Sequence, residues 1–148
     1  MKKRRGLLRS ERGAQLVEFA LVLPLLLLVV LAIADFGFMF QRYEVLTNAA
    51  REGARIAVLP GYTDADVQAR VDDYLTAGRV PVAGRGLTEV DDGAVVVPGG
   101  TTITTRIVTV NYTYTYMFIG AIAGWFDATY GTQALSAVSE MRVEVPGA

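Results

Sequence analysis

The sequence predicts an α+β protein with one long N-terminal helix, one short helix and a small antiparallel β-sheet of three or four strands. Two observations support this prediction. The first sixty residues combine an apolar run with bulky residues at helical spacing, whereas the last fifty alternate between two faces as strands do. With 148 residues, the chain has room for one compact domain beside the long helix.

Charge is distributed unevenly along the chain. Residues 1–12 hold six basic residues and one acidic residue, a net charge of +5, whereas the remainder holds eight basic and fourteen acidic residues. By the positive-inside rule, the basic end predicts a cytoplasmic N-terminus and an extracytoplasmic remainder. Because no basic patch remains in the folded part, we expect that nucleic acid is not a partner.

The chain contains neither cysteine nor histidine. This composition excludes disulfides, thiolate or imidazole metal sites, and catalysis by Ser-His-Asp or Cys-His groups, which need an imidazole base. Because no other catalytic constellation is visible either, we expect no enzyme activity, no catalytic residues, no metal and no cofactor.

The long helix begins with an uncharged run from Phe19 to Ala34. Sixteen residues span roughly 24 Å, slightly less than the roughly 30 Å of a hydrocarbon core. Including residues 14–17 closes the gap but places Glu18 inside the apolar run. We predict a transmembrane segment over about residues 16–40, and Pro24 is expected to kink or locally break the helix.

Three interpretations of this N-terminal segment are open. In the first, the segment is a cleaved signal peptide, with Ala34 as the last small residue before a cut at Asp35. In the second, it is a plain signal anchor in which Glu18 is tolerated. Alternatively, Gly13 and Glu18 belong to one motif, in which a glycine follows the basic segment and a glutamate stands five residues later. The third interpretation is favoured, because an acidic side chain facing lipid costs about 2.5–3.5 kcal/mol and so indicates a function.

The motif GAQLVEF at residues 13–19 resembles the prepilin-peptidase site of type IV pilin-like proteins, which are cut after the glycine and carry the glutamate at mature position five. The longer string ERGAQLVEFALVLPLLLLVVLAIADFG, followed by LTNAAREGARIAV, is similar to the TadE-like family of minor pilin-like subunits in the tight-adherence (Tad/Flp) pilus system. The resemblance is strong over residues 11–59 and looser beyond. Phe19 stands where major Flp pilins usually have tyrosine, which favours the TadE-type branch.

The resemblance implies a minor pilin- or pseudopilin-like structural subunit, cut between Gly13 and Ala14 by prepilin peptidase. Glu18 and Phe19 would then serve assembly, with other pilin-like subunits and the Tad assembly platform as partners. The implied regions are a basic leader at 1–13, a long helix at 14–59 and an extracytoplasmic α+β domain at 60–148, anchored in the bacterial inner membrane. The alternative is a bitopic inner-membrane protein whose periplasmic domain binds a ligand or the cell wall.

Beyond the apolar run, helical spacing continues in two sets of residues. The bulky set is Phe36, Phe40, Tyr43 and Leu46, and the small set is Ala50, Gly53, Ala54 and Ala57. Small residues permit close approach, so these positions are predicted to serve helix packing. Packing of the chain's own domain is favoured, and contact with a neighbouring subunit's helix is the alternative.

The outer domain begins after Pro60 and Gly61, which end the long helix. Thr63 is predicted to cap a short amphipathic helix, with Gly78 at its end. Its apolar face is formed by Val67, Val71, Tyr74 and Leu75. Residues 79–93, rich in Gly, Pro and Asp, are predicted to form a loop.

Three strands are predicted at residues 94–97, 101–116 and 132–145, with a turn at 98–100. The row of Tyr112, Tyr114 and Tyr116 indicates a half-buried sheet face packed on a helix, and a carbohydrate- or surface-binding platform is the alternative. The apolar residues 117–126 form either a loop that covers the core or a patch facing lipid or a partner.

Overall fold

The computed structural model describes residues 11–123 and 131–143. The basic residues 1–10, Trp125 and the end of the last predicted strand lie outside these ranges. The first helix, α1, spans Glu11–Ala57, and its 47 residues extend for about 70 Å. It continues through Pro24, so the proline does not divide the helix.

The second helix, α2, spans Asp64–Ala77 and begins with the predicted cap. The Thr63 hydroxyl oxygen accepts a hydrogen bond from the Asp66 backbone N–H, and the Asp66 carboxylate accepts one from the Thr63 backbone N–H at 2.8 Å. This reciprocal pairing satisfies donors that the first helical turn otherwise leaves open. Hydrogen bonds from the Thr63 side chain and backbone lower the pKa of Asp66. Val67, Val71 and Leu75 are buried, as their spacing predicts.

Three antiparallel strands form one sheet in the order β1-β2-β3. Strand β1 spans Arg85–Val96, β2 spans Thr102–Thr115, and β3 spans Thr132–Arg142. A short helix, α3 (Ile119–Ala123), connects β2 to β3. The α+β class and the three-stranded sheet confirm the predicted fold within the described residues.

The loop predicted over residues 79–93 is wrong, because β1 begins at Arg85. Ten residues of β1 pair with β2, and the register shifts once, between Arg85 and Thr88. The strand lies at the sheet edge and is mostly exposed, so its sequence lacks the alternation of a half-buried strand. Its glycines fit the sheet closely: a Cβ on Gly93 would come within 2.4 Å of the Thr105 hydroxyl oxygen.

The core lies between the sheet and the two longer helices. The half of α1 that follows Asp35 contributes Leu46, Ala50 and Ala54, all fully buried. Val108 and Val110 of β2 face them, also fully buried or nearly so. The half of α1 before Asp35 takes no part in this core. The helix therefore divides into an exposed apolar half, before Asp35, and a packed half, after it.

Gly53 lies where α1, α2 and β2 meet. A Cβ there would come within 2.7 Å of Val71 Cγ2 and 3.1 Å of Val108 Cγ1. Gly37 is on the same helix, but a Cβ there would meet nothing within 4 Å. The two glycines therefore offer a matched test of close packing.

We expect Gly53→Ala to destabilise the domain and Gly37→Ala to stabilise it slightly. Alanine favours a helix interior over glycine by about 1 kcal/mol, whereas overpacking a core costs about 1–3 kcal/mol. Thermal unfolding of the two variants in detergent should therefore shift in opposite directions. Equal upward shifts would show that Gly53 is not tightly packed within the chain.

Candidate functional site

The segment that carries the predicted processing and assembly residues forms the first turns of α1. Gly13, Ala14, Glu18 and Phe19 all lie on this one helix, and their residues are exposed. Ala14 and Glu18 are four residues apart, so they occupy neighbouring turns of the same face. The described part of the folded domain covers none of these four positions.

The apolar half of α1 follows directly. Within residues 11–123 and 131–143, this is the one helix long and apolar enough to cross a membrane, and its most apolar window is not buried against the rest of the chain. This finding is compatible with a single-pass membrane protein. A helix that is apolar on all sides and uncovered needs lipid or protein around it.

Asp35, at the end of the apolar run, is fully buried, and no motif in the sequence indicates this burial. Its carboxylate accepts hydrogen bonds from three consecutive backbone N–H groups at the start of α3: those of Met117 at 2.9 Å, Phe118 at 2.9 Å and Ile119 at 2.7 Å. One side chain of α1 thus satisfies the open donors of a short helix. The available signal was that Asp35 is the first charged residue after the uncharged run.

The end of β2 contacts α1 at the same level. The Tyr114 hydroxyl donates to the Asp35 backbone carbonyl at 3.3 Å, and the Tyr116 ring lies edge-on to Phe36 with 5.9 Å between centroids. Tyr112 and Tyr114 are buried, which confirms that the tyrosine row is a sheet face packed on a helix. Burial, followed by the nearby Asp35 charge, raises the pKa of Tyr114.

Charged residues farther along α1 attach the second helix. The Arg42 guanidinium donates to the Arg79 carbonyl oxygen at 2.6 Å, just after α2 ends. Glu52 accepts hydrogen bonds from Arg55 of its own helix and from Arg70 of α2, each at 2.8 Å at its shortest. The hydrogen bonds from Arg55 and then those from Arg70 lower the pKa of Glu52 to about 2. The charges on this half of α1 therefore position α2.

The predicted packing residues lie within the same region. Ala50 and Ala54 are fully buried, Gly53 is buried against Val71, and Ala57 is half-buried against the core. In the described residues, the structure thus places the small set of α1 against the chain's own domain.

Three carboxylates of the outer domain form ion pairs with arginines. Arg106 pairs with Asp64 and Asp92, and Arg85 lies 3.7 Å from Asp72. Among the residues that the structure describes, no group of three or more potential metal-ligating side chains is present. These ion pairs therefore join elements of the domain.

A comparison with protein-family models matches residues 13–55 to the family described as TadE-like protein. The match begins at Gly13 and includes the exposed half of α1, Asp35 and most of the packed half. Neither the curated proteins nor the solved structures give a match. The resemblance to the TadE-like family is thereby confirmed over this segment. It indicates a structural, Tad pilus-associated protein with an N-terminal hydrophobic helix, and it implies association with Tad pilus components and with a membrane.

Proposed function

We propose that this chain, which matches the TadE-like family over residues 13–55, is a minor pilin-like structural subunit of a Tad pilus or a related secretion machine. Prepilin peptidase cuts it between Gly13 and Ala14, and the exposed half of α1 assembles with other pilin-like subunits and the Tad platform. The observation that carries the proposal is Glu18, an exposed carboxylate one turn beyond Ala14 on an uncovered apolar helix.

The division of α1 supports this function. Its first half leaves an apolar surface that lipid covers before assembly and neighbouring helices cover afterwards. Its second half is fixed to the domain by buried packing at Ala50 and Ala54 and by the Glu52–Arg70 ion pair. A single rigid element can therefore place the domain outside the inner membrane while its N-terminus stays at the cytoplasmic face, where the peptidase acts.

The experiment is to determine the N-terminus of the membrane-extracted protein by intact-mass measurement, with and without a prepilin peptidase gene in the host. We expect a chain beginning at Ala14 in the presence of the peptidase and an uncut chain in its absence. A chain beginning at Asp35 in both hosts would establish a signal peptide. An uncut chain in both hosts would favour the bitopic membrane protein with a periplasmic binding domain.

A further inference from the structure

The connection after β2 lies beside α1 at the outer end of its apolar half. The Asp35 carboxylate fixes Met117, Phe118 and Ile119 there by their backbone N–H groups. These three hydrogen bonds use only the backbone of the segment; the residues Phe118 and Ile119 are half-buried and Met117 is exposed. The Met117 side chain is 65% exposed, although it is apolar. The height of this segment along the membrane normal is thus set by the position of Asp35 on the helix.

Burial of Asp35 lengthens the surface that α1 can present to lipid. In the sequence, Asp35 ends the uncharged run after sixteen residues. In the structure its carboxylate is covered, so no exposed charge occurs from Phe19 to Gln41. Twenty-three residues span about 35 Å, which exceeds the roughly 30 Å of a hydrocarbon core. A hydrocarbon core that begins at Phe19 ends near residue 38 of α1. Met117 lies beside Asp35, so its level is slightly inside that end.

Other apolar side chains are exposed around the same level. On α1 these are Phe36, Phe38 and Phe40. From the loop after α2, Pro81 and Ala83 line one cleft together with Phe38 and Met117, and Val82 between them is exposed. Polar groups of Gln41, Arg42 and Thr115 border the same cleft. Soluble monomeric proteins rarely expose so many neighbouring apolar side chains at one end of a domain. The opposite end carries the ion pairs of Arg106 with Asp64 and Asp92.

We propose that Met117–Ile119, with the exposed phenylalanines of α1, forms a second membrane contact at the outer boundary of the hydrocarbon core of the lipid bilayer. Asp35 holds this segment at that depth, and its own charge is paired with backbone N–H groups and hidden from lipid. The outer domain is thereby seated on the membrane instead of moving freely at the end of α1. This inference rests on the proposed insertion of α1 and adds a lipid-binding surface to the folded domain.

Since the chain has no cysteine, single cysteines can be introduced and spin-labelled without competing thiols. Met117→Cys probes the proposed contact. Val96→Cys is the matched control, because Val96 is also apolar and exposed (69%) but pairs with Thr102 at the hairpin end remote from Asp35. Leu25→Cys, with 66% exposure in the apolar half, reports insertion of the helix. The full chain is reconstituted in vesicles of phosphatidylethanolamine and phosphatidylglycerol.

The measurement is the relaxation of each label by oxygen, which enters lipid, and by a water-soluble nickel complex. We expect the oxygen-to-nickel accessibility ratio at position 117 to exceed that at position 96 several-fold, and position 25 to have a high ratio. Equal ratios at 117 and 96, with a high ratio at 25, would overturn the lipid contact and leave the proposed function intact. A low ratio at 25 would refute insertion of α1 itself.

A neighbouring subunit is the other occupant that could shield Met117. Reconstitution at high lipid-to-protein ratios, with about one chain per vesicle, separates the two. We expect the ratio at position 117 to be unchanged on dilution. A ratio that falls to the value at position 96 would show that protein covers this surface, and the lipid contact would be wrong.

Discussion

Replacing Asp35 by alanine should lower the free energy of unfolding of the outer domain by about 2–4 kcal/mol. The carboxylate is fully buried and accepts three hydrogen bonds, from Met117, Phe118 and Ile119. Without it, three backbone donors at the start of α3 lose their acceptor. Hydrogen bonds to a charged group contribute about 1.5–3 kcal/mol each, and the desolvation of the carboxylate, which alanine avoids, offsets part of that gain.

This effect can be measured by thermal unfolding of the purified protein in detergent. Asp73→Ala is the matched control, because Asp73 is exposed on α2. It should change stability by less than about 0.5 kcal/mol. Asp35→Asn should also destabilise, since an amide keeps one acceptor oxygen but turns an N–H group toward the backbone donors. Equal unfolding temperatures for Asp35→Ala and Asp73→Ala would show that the carboxylate does not hold α3 to α1.

The elements predicted correctly from the sequence have local causes. Helix α2 begins directly after its cap residue Thr63, because the side chain of Asp66, three residues later, completes the cap. Strand β2 is recognisable because Val108, Val110 and Tyr112 alternate with less buried residues. Strand β1 has no such pattern, because it is exposed at the sheet edge and is stabilised mainly by pairing with β2. Its sequence alone therefore indicated a loop.

The candidate site likewise includes residues that the sequence indicates and residues that only the structure reveals. Gly13, Ala14, Glu18 and Phe19 lie within seven consecutive residues, so a contiguous motif can indicate them. The hydrogen bonds of Asp35 join residues 82 to 84 positions apart, and that of Arg42 to Arg79 joins residues 37 apart. Such contacts depend on how the sheet is placed against α1. In the sequence, Asp35 is merely the first charge after an apolar run.

Glu18→Gln should leave cleavage nearly unchanged and lower incorporation into filaments or crosslinking to neighbouring subunits by about tenfold or more. The proposed cleavage after Gly13 would create an ammonium group on Ala14, and the proposed assembly would place both this group and Glu18 in apolar surroundings. An unpaired charge buried there costs about 3–5 kcal/mol, whereas an ion pair is tolerated. By resemblance to pilin-like families, the Glu18 carboxylate neutralises the N-terminus of a neighbouring subunit and sets the axial register between them.

Two further variants make this prediction specific. Glu44→Gln removes an exposed glutamate from the packed half of the same helix and should assemble normally. Gly13→Leu should block cleavage, so that the ammonium group on Ala14 never forms and assembly fails in the uncut chain. The measurements are the intact mass of the membrane-extracted subunit and its fraction in sheared filaments or crosslinked products. If Glu18→Gln assembles as well as Glu44→Gln, the carboxylate merely marks the membrane boundary and takes no part in subunit pairing.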